Sequence, residues 1–318
     1  MRIAIVGPGG AGGYLGARLA EGGGDVVFIA RGEHLRAIRD GGLRLESIDG
    51  DVHVRPATAT DDPAEVGVVD AAVVATKTWQ LRAAAESMRP MVGPGTAVVP
   101  VLNGVEAPGV LAEALGPEAV LGGLCGMQAF IAAPGVIRHV GAAPWVAFGE
   151  LDGSASERVR RLEEAFRRCR ALKVAVPPDI GVAMWEKFIF IASSGGVGAV
   201  TRAPFGAFRA VPRARALLEA AMREAWAVGR ARGVDLPEGA VARALAMVDG
   251  FEAHVTSSMQ RDIMAGRRSE LEEWTGAVVR LGKEAGVETP VHAFIYGALL
   301  PQELRARGEL EFAEPPPG

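Results

Sequence analysis

The first 20 residues carry the pattern that most restricts the fold of this chain. A short apolar run, Arg2–Val6, is followed directly by a glycine-rich segment, Gly7-Pro-Gly-Gly-Ala-Gly12, and then by a helical pattern that includes Tyr14, Leu15 and Leu19. A GxGxxG segment between a buried strand and a helix is typical of a dinucleotide-binding βαβ unit. The other reading is a tight strand-to-helix turn without a ligand, but the order of the elements favours the dinucleotide site.

Each glycine of this segment has its own expected role. Gly7 allows a tight turn, Gly9 lets the backbone approach a pyrophosphate, and Gly12 lets the helix pack closely on the strand. The helix start then offers unpaired N–H groups and the positive end of the helix dipole to the phosphates. We include the intervening Gly10 and Ala11 among the predicted cofactor-binding residues.

The second apolar run, Asp25–Ala30, ends at the position that decides between the two nicotinamide dinucleotides. An acidic residue there would accept hydrogen bonds from the ribose hydroxyls of NAD, whereas an arginine would pair with the 2′-phosphate of NADP. The position holds Arg31. Glu33 lies two residues later, but an acidic residue is also favoured in the first turn of a helix over Glu33–Asp40. We therefore predict NADPH/NADP⁺ as the cofactor.

Buried strands alternate with helical patterns through the first half of the chain, which predicts a Rossmann-type doubly wound parallel sheet. Further strands are predicted at Asp70–Thr76, Ala97–Leu102, Ala119–Leu124, Met127–Ala132, Val136–Val140, Trp145–Phe148 and Lys173–Val176, with a hairpin from Leu43 to Val54 and a helix over Ser154–Leu172. Ligands of such sheets bind outside the carboxyl ends of the strands. Lys77 and Asn103 both lie there, directly after a strand.

Strand patterns stop at Asp179, and the remaining chain is predicted to be all-helical. The expected helices are Val182–Ser193, Pro212–Arg232, Glu238–Gly266, Ser269–Ala285 and Pro290–Arg307, and Gly195-Gly196 is taken as a break. We predict a cofactor-binding domain over residues 1–178, a helical substrate domain over residues 179–308, and a disordered proline-containing tail over residues 309–318.

Composition excludes several classes of function. The net charge of −4 gives no basic footprint for nucleic acid. The longest uncharged run, Ala119–Ile137, contains glycines and Pro134, so we interpret it as buried strands and turns and predict no membrane segment. Two cysteines without CxxC spacing fit a reducing cytoplasm, and five scattered histidines predict no metal site.

Hydride transfer to a ketone needs a proton donor and fixed polar groups for the other oxygens of the substrate. Lys187 lies in a strongly apolar helical segment, where desolvation would lower its pKa; taken alone, a lysine whose charged end reaches solvent is the simpler reading. Glu270 follows Ser269, which forms a possible capping box with Glu272. Ser257-Ser258 and Asn103 are candidate substrate ligands, but helix-surface serines and a turn-forming asparagine are equally open.

Taken together, these residues resemble the ketopantoate reductase (2-dehydropantoate 2-reductase) family over nearly the whole chain. The matching residues are Gly7-x-Gly9-x-x-Gly12, Arg31, Lys77-x-Trp79-Gln80, Asn103-Gly104, Trp185-x-Lys187, Ser257-Ser258-Met259 with Asp262, and Glu270. The resemblance implies an NADPH-dependent Rossmann domain joined to a helical domain, and reduction of 2-dehydropantoate to (R)-pantoate for pantothenate and coenzyme A synthesis.

The resemblance also implies roles for individual residues. Lys187 is the expected general acid, and Glu270 the carboxylate that binds the substrate hydroxyl and orients the lysine. Asn103 and Ser258 are expected to bind substrate. Arg31, Lys77 and Gln80 are expected at the adenosine-phosphate end of the cofactor.

The chain departs from the family at positions that bear on the substrate. Many members carry asparagines one and two turns after the lysine, where this chain has Ile191 and Gly195; another asparagine before the serine pair is replaced by Val255 or Thr256. Another bulky 2-oxo acid therefore remains open as the substrate, and a non-catalytic NADP(H)-binding sensor is a third reading. A homodimer is possible.

Overall fold

The computed structural model describes residues 1–311, with only the backbone described at Ala142. The chain divides into two compact units, Met1–Gly181 and Val182–Gly318. The tail predicted over residues 309–318 lies outside the described residues from 312 onward.

The first unit is an α/β structure. Its strands are β1 (Arg2–Val6), β2 (Asp25–Ile29), β3 (Leu43–Ser47), β4 (Val52–Val54), β5 (Thr58–Thr60), β6 (Ala71–Val74), β7 (Ala97–Pro100), β8 (Gly122–Ala133), β9 (Val136–Gly149) and β10 (Lys173–Ala175). Its helices are α1 (Gly10–Glu21), α2 (Gly32–Gly41), α3 (Leu81–Met88), α4 (Ala107–Leu115) and α5 (Glu157–Arg167).

Five of these strands form a parallel sheet in the order β5-β2-β1-β6-β7. Its two faces are covered by different layers, because alternate residues of a strand point to opposite sides. Ile3 and Ile5 of β1 pack in the cluster that includes α1, whereas Ala4 and Val6 pack in the cluster that includes α3 and α4. This arrangement confirms the predicted doubly wound parallel sheet.

A second, mixed sheet follows the order β10-β9-β3-β4, with β8 paired antiparallel to β9. The four short strands predicted between residues 119 and 148 were wrong in their bounds, since the structure has the two long strands β8 and β9 joined at Gly135 with φ 75°. The hairpin predicted between Leu43 and Val54 is confirmed, with Leu43 opposite Val54.

A helix ending near Arg89 is predicted after Gln80, where the structure has α3, but two other elements of this unit had no prediction. The strand β5 has only three residues and no apolar run, and it is defined by its pairing with β2. The helix α4 contains Pro108 and Gly109 and buries few residues, so its sequence lacks a clear helical period. The helix predicted over Ser154–Leu172 is shorter, and it begins after Ser156, whose side chain accepts from Val159 N.

The described part of the second unit contains helices and no strand, which confirms the all-helical prediction. The elements are α6 (Ile180–Thr201), α7 (Phe205–Ala210), α8 (Pro212–Ala231), α9 (Ala240–Gly250), α10 (Ser258–Met264), a π-helical segment (Glu272–Gly276), α11 (Ala277–Ala285) and α12 (Pro290–Ala306). The first two residues of α6 belong to the first unit.

Two predictions about these helices were wrong. The helix α6 does not break at Gly195-Gly196 but continues to Thr201, because neighbouring side chains pack directly on the two glycines. The single helix predicted over Glu238–Gly266 is two helices, and Arg209 donates to the carbonyl oxygens of Val248, Asp249 and Phe251 at the end of the first.

By length and composition alone, α6 could cross a membrane, but 67% of its most apolar window is buried inside the protein. The core helix of a globular unit meets the same criteria, and we describe α6 as such a helix.

Candidate cofactor and active site

The glycine turn between β1 and α1 has the geometry that a phosphate ligand requires. Gly7 has φ 85°, and a Cβ at Gly12 would lie 2.3 Å from the Gly7 carbonyl oxygen, so both positions require glycine. A Cβ at Gly9, in contrast, would meet no atom within 4 Å. Gly9 is the N-cap of α1 and provides no side-chain cap, so the helix start leaves its N–H groups for a ligand. These features fit the phosphates of a dinucleotide.

The turn lies where the strand order of the parallel sheet changes direction. The chain runs from β1 to β2 and β5 on one side, and then to β6 and β7 on the other. Gly7 packs against Thr76, which follows β6 at the switch point. Such switch points are where open α/β sheets bind their ligands.

Three predicted cofactor residues lie at this same edge of the sheet. Arg31 follows β2 as the exposed N-cap residue of α2. Lys77 and Gln80 follow β6 and are exposed, with Lys77 Nζ 5.5 Å from the centre of the Trp79 ring. Thr76 was not among the predicted residues, and its buried hydroxyl has no hydrogen-bond partner among the described residues, which makes it a further candidate at this edge. Its position immediately before Lys77 was the available signal.

Asn103 lies in the loop after β7, also at the carboxyl edge, and is partly buried. Gly104 beside it has φ 100°, which only glycine adopts readily. The conformation of Gly104 is consistent with a turn at this pair, and the role of Asn103 in substrate binding stays a prediction.

The helical unit contains the remaining candidates. Lys187 lies on α6 between the buried residues Trp185 and Phe188 and is itself partly buried. Glu270 lies just before the π-helical segment and is only 7% exposed. An acidic side chain this deeply buried is uncommon without a structural or functional partner.

The capping box predicted for Ser269 and Glu272 was wrong. Ser269 Oγ donates to Glu303 Oε2 at 2.6 Å, and the Ser269 backbone N–H donates to the same oxygen at 3.0 Å. Glu272 instead accepts from the Tyr296 hydroxyl at 2.6 Å and pairs with Arg280. The buried carboxylate of Glu303 therefore fixes the residue that precedes Glu270.

Of the two serines, Ser257 has a structural task, since its side chain accepts from Gln260 N as the N-cap of α10. Ser258 is the first residue of that helix and is partly buried. Its role toward a substrate stays a prediction.

The segments that carry Lys187, Ser258 and Glu270 meet at Gly195. A Cβ at Gly195 would lie 2.9 Å from the Trp274 ring and 3.3 Å from Met259 Cε. Met259 adjoins Ser258, and Trp274 lies four residues after Glu270. Packing at this glycine thus brings α6, α10 and the π-helical segment together within the helical unit.

Glu273 and Cys169 have raised pKa values and are not among the predicted site residues. Burial raises the pKa of Glu273 to about 7, with further increases from the nearby Glu270 and Glu272 carboxylates and a partly opposing effect of Arg307. Burial raises the pKa of the Cys169 thiol to about 12, which agrees with its predicted place in the core.

The doubly wound sheet and the glycine turn at its carboxyl edge define an α/β dinucleotide-binding protein with an appended helical unit. Two family models match the chain: "Ketopantoate reductase PanE/ApbA" over residues 3–153 and "Ketopantoate reductase PanE/ApbA C terminal" over residues 179–303. The chain belongs to the ketopantoate reductase family, whose members are oxidoreductases that act on CH–OH groups with a nicotinamide cofactor.

Similar proteins cover nearly the whole chain. A 2-dehydropantoate 2-reductase of Mesorhizobium japonicum is 34% identical, covering 91% of this chain and 94% of the relative. The oxidoreductase YkpB of Bacillus subtilis, described as uncharacterized, is 31% identical over 94% of this chain and 98% of its own. The crystal structure of a PanE/ApbA family ketopantoate reductase from Ralstonia eutropha aligns with TM-score 0.86 at 29% identity, over 96% of this chain and 100% of that one.

D-Mandelate dehydrogenase in complex with NADH and anilino(oxo)acetate shares the fold. It aligns with TM-score 0.85 at 21% identity, over 96% of this chain and 99% of that one.

Proposed function

We propose that this protein is an NADPH-dependent reductase that converts 2-dehydropantoate to (R)-pantoate, a step of pantothenate and coenzyme A synthesis in the cytoplasm. The observation that carries the proposal is the 34% identity to a 2-dehydropantoate 2-reductase over 91% of the chain. The partly buried Lys187 would serve as the general acid, and the buried Glu270 as the carboxylate that the reaction requires.

NADPH is proposed rather than NADH because of the charge at the end of β2. Arg31 is exposed at the start of α2 and can pair with a 2′-phosphate. Lys77 and Gln80 lie at the same edge and would add a cation and an amide to this end of the cofactor. Gly7, Gly9, Gly10, Ala11 and Gly12 would form the pyrophosphate site. The N–H groups of Gly7 and Gly9 donate to the carbonyl oxygens of Ile29 and Gly7 and shape the turn, and the N–H groups at the start of α1 would bind the phosphates.

Reduced nicotinamide, when bound, supplies the hydride that the C2 carbonyl carbon of the substrate receives. We assign Lys187 as the general acid whose ammonium group donates the proton to the carbonyl oxygen, which completes the alcohol. Glu270 would accept a hydrogen bond from the substrate hydroxyl and orient the lysine ammonium. Asn103 and Ser258 would bind the other polar groups of the 2-oxo acid.

A second substrate class is favoured by a specific observation in the helical unit. The positions one and two turns after Lys187 are the buried, apolar Ile191 and Gly195, and Trp274 fills the space beside Gly195. These positions offer no amide to a substrate hydroxyl. A 2-oxo acid with an apolar bulky group in place of the hydroxyl-bearing group of 2-dehydropantoate is therefore the alternative.

The experiment that separates these proposals is NADPH oxidation by the purified protein. The substrates are 2-dehydropantoate, its analogue without the hydroxyl group (3,3-dimethyl-2-oxobutanoate), and phenylglyoxylate. The highest kcat/KM for 2-dehydropantoate supports the first proposal, and a higher kcat/KM for the two apolar acids supports the second. Binding of NADPH without turnover of any of these acids would refute both and favour the sensor.

A further inference from the structure

A histidine that the proposed chemistry does not use connects the glycine turn to two other segments of the first unit. His34 is the third residue of α2, three positions after Arg31. Its Nε2 lies 2.9 Å from the Pro8 carbonyl oxygen, inside the glycine turn. The backbone N–H of Gly135, at the tip of the β8–β9 hairpin, donates to its Nδ1 at 3.1 Å.

These two partners determine the protonation of the ring. A backbone N–H can only donate, so Nδ1 is the unprotonated nitrogen. A carbonyl oxygen can only accept, so Nε2 bears the proton and donates it to Pro8. Burial lowers the pKa of His34, against a smaller opposing effect of the Pro8 contact, and so favours this neutral ring.

The orientation of the Pro8 carbonyl matters for a phosphate ligand. Carbonyl oxygens repel phosphate, whereas N–H groups attract it, so a phosphate-binding turn must direct its carbonyl groups away from the ligand. The hydrogen bond to His34 holds the Pro8 carbonyl toward α2. Because the peptide unit is planar, this bond also fixes the plane of the Pro8–Gly9 peptide, whose N–H bonds the Gly7 carbonyl at 2.8 Å.

The hairpin contacts the same turn directly. A Cβ at Gly10 would lie 2.0 Å from the carbonyl oxygen of Ala129 in β8, so the hairpin backbone lies against the start of α1. His34 connects the tip of that hairpin, at Gly135, to the glycine turn, at Pro8. The hydrogen bonds of His34 therefore join the glycine turn, the helix α2 and the β8–β9 hairpin to one another.

We propose that His34 is a positioning residue for the cofactor: it holds the glycine turn in its phosphate-binding conformation and ties it to the helix that carries Arg31. This inference rests on the proposed dinucleotide role of the glycine turn. It assigns His34 to the pyrophosphate, which NADPH and NADH share, and not to the 2′-phosphate.

The test measures dissociation constants of NADPH and NADH by cofactor fluorescence for the wild type and three variants. His34→Ala removes both hydrogen bonds and should raise both constants about tenfold or more, with their ratio unchanged. His34→Asn keeps an acceptor near the Nδ1 position, and His34→Gln keeps a donor near the Nε2 position. Each of these two should lose less affinity than His34→Ala.

A matched control lies at the other end of the same helix. His53 Nε2 contacts the carbonyl oxygen of Gly41, the last residue of α2, at 2.7 Å. His53→Ala also removes a histidine–backbone contact to α2, but it should leave both dissociation constants unchanged.

The outcomes separate this inference from the proposed function. A wild type that binds neither dinucleotide refutes the cofactor assignment itself. A wild type that binds both dinucleotides, with a folded His34→Ala variant that binds them as tightly as the wild type does, refutes the role of His34. If His34→Ala does not fold, wild-type affinity in both the Asn and the Gln variant refutes it, because each of them lacks one of the two hydrogen bonds. Loss of NADPH affinity alone would also refute it, since that result would assign His34 to the 2′-phosphate.

Discussion

The indole ring of Trp274 fills the space in which a side chain at position 195 would have to lie. A Cβ at Gly195 would be 2.9 Å from Cε3 and Cζ3 of that ring, and the ring itself is only 2% exposed. An asparagine side chain at this position therefore does not fit beside this tryptophan. The glycine and the tryptophan are best understood as a coupled pair that sets the shape of the helical unit near Lys187.

Gly195→Asn should destabilise the protein by about 1–3 kcal/mol, because overpacking a filled core forces its neighbours to move. The same change in the background of Trp274→Leu should cost less, which urea denaturation of all four proteins can measure as a coupling energy. Gly297→Asn is the control, since a Cβ at that helical glycine meets no atom within 4 Å. An equal cost of Gly195→Asn in the wild-type and the Trp274→Leu background would contradict the coupling.

The carboxyl group of Glu273 predicts an unusual dependence of stability on pH. Its pKa in the folded protein is raised to about 7, so folding favours the protonated form. That contribution is fully present below the pKa of the unfolded chain and is lost as the pH rises through about 7. Allowing for partial exposure, Glu273→Gln should stabilise the protein by about 1–2 kcal/mol at pH 8 and leave it unchanged at pH 4.

Thermal or urea unfolding across this pH range measures the effect. Glu288→Gln removes an acidic group from an exposed position of the same unit and provides the control. A Glu273→Gln variant with the wild-type pH profile would show that the carboxyl group titrates normally.

The Glu303 carboxylate should be a strong determinant of stability. It is 1% exposed, accepts from the backbone and hydroxyl of Ser269, and pairs with Arg307 at 2.8 Å. Glu303→Ala leaves Arg307 and Ser269 without these contacts and should cost about 3–5 kcal/mol. Glu284→Ala, which breaks the exposed pair with Arg232, should cost less than about 1 kcal/mol in the same urea titration.

Arg31→Ala tests the cofactor preference. The variant should bind NADPH about tenfold or more weakly while its affinity for NADH stays near that of the wild type, because only NADPH carries the 2′-phosphate. Fluorescence titration with both dinucleotides measures the ratio. Arg36→Ala, an exposed arginine later in α2, is the matched control. An unchanged ratio after Arg31→Ala would remove this residue from the cofactor site.

Local signals in the sequence were sufficient to predict the β1–glycine turn–α1 unit. The strand Arg2–Val6, its glycine turn and the helix after it are specified by neighbouring residues, and the structure has them where they were predicted. The parallel strands could also be predicted, because strands buried on both faces form continuous apolar runs in the sequence.

Tertiary contacts are found at the helix positions that local sequence patterns did not predict. Gly195 and Gly196 are helix breakers by propensity, but Trp274 packs on the first and Ile295 and Thr275 on the second, and the helix continues. Conversely, α9 ends at Gly250, and the next residue, Phe251, stacks on Phe190 and packs against Phe205. Contacts between residues so far apart in the chain leave no local pattern to recognise.

The hydrogen bond between His34 and Pro8 could not be predicted from the sequence for the same reason. The two residues lie 26 positions apart, and a helical histidine carries no signal of its partner. The location of Glu270 beside a buried Ser269–Glu303 contact likewise depends on residues 34 positions apart.

The most direct test of the account is the rate of Lys187→Ala with saturating NADPH and the best 2-oxo acid. Removing the general acid should lower kcat by about 100-fold or more, while the dissociation constant for NADPH stays within about twofold of the wild type. Lys283→Ala, an exposed lysine of the same unit, should retain wild-type kinetics. If Lys187→Ala turned over substrate at the wild-type rate, the assigned proton donor and the proposed chemistry of the helical unit would both be wrong.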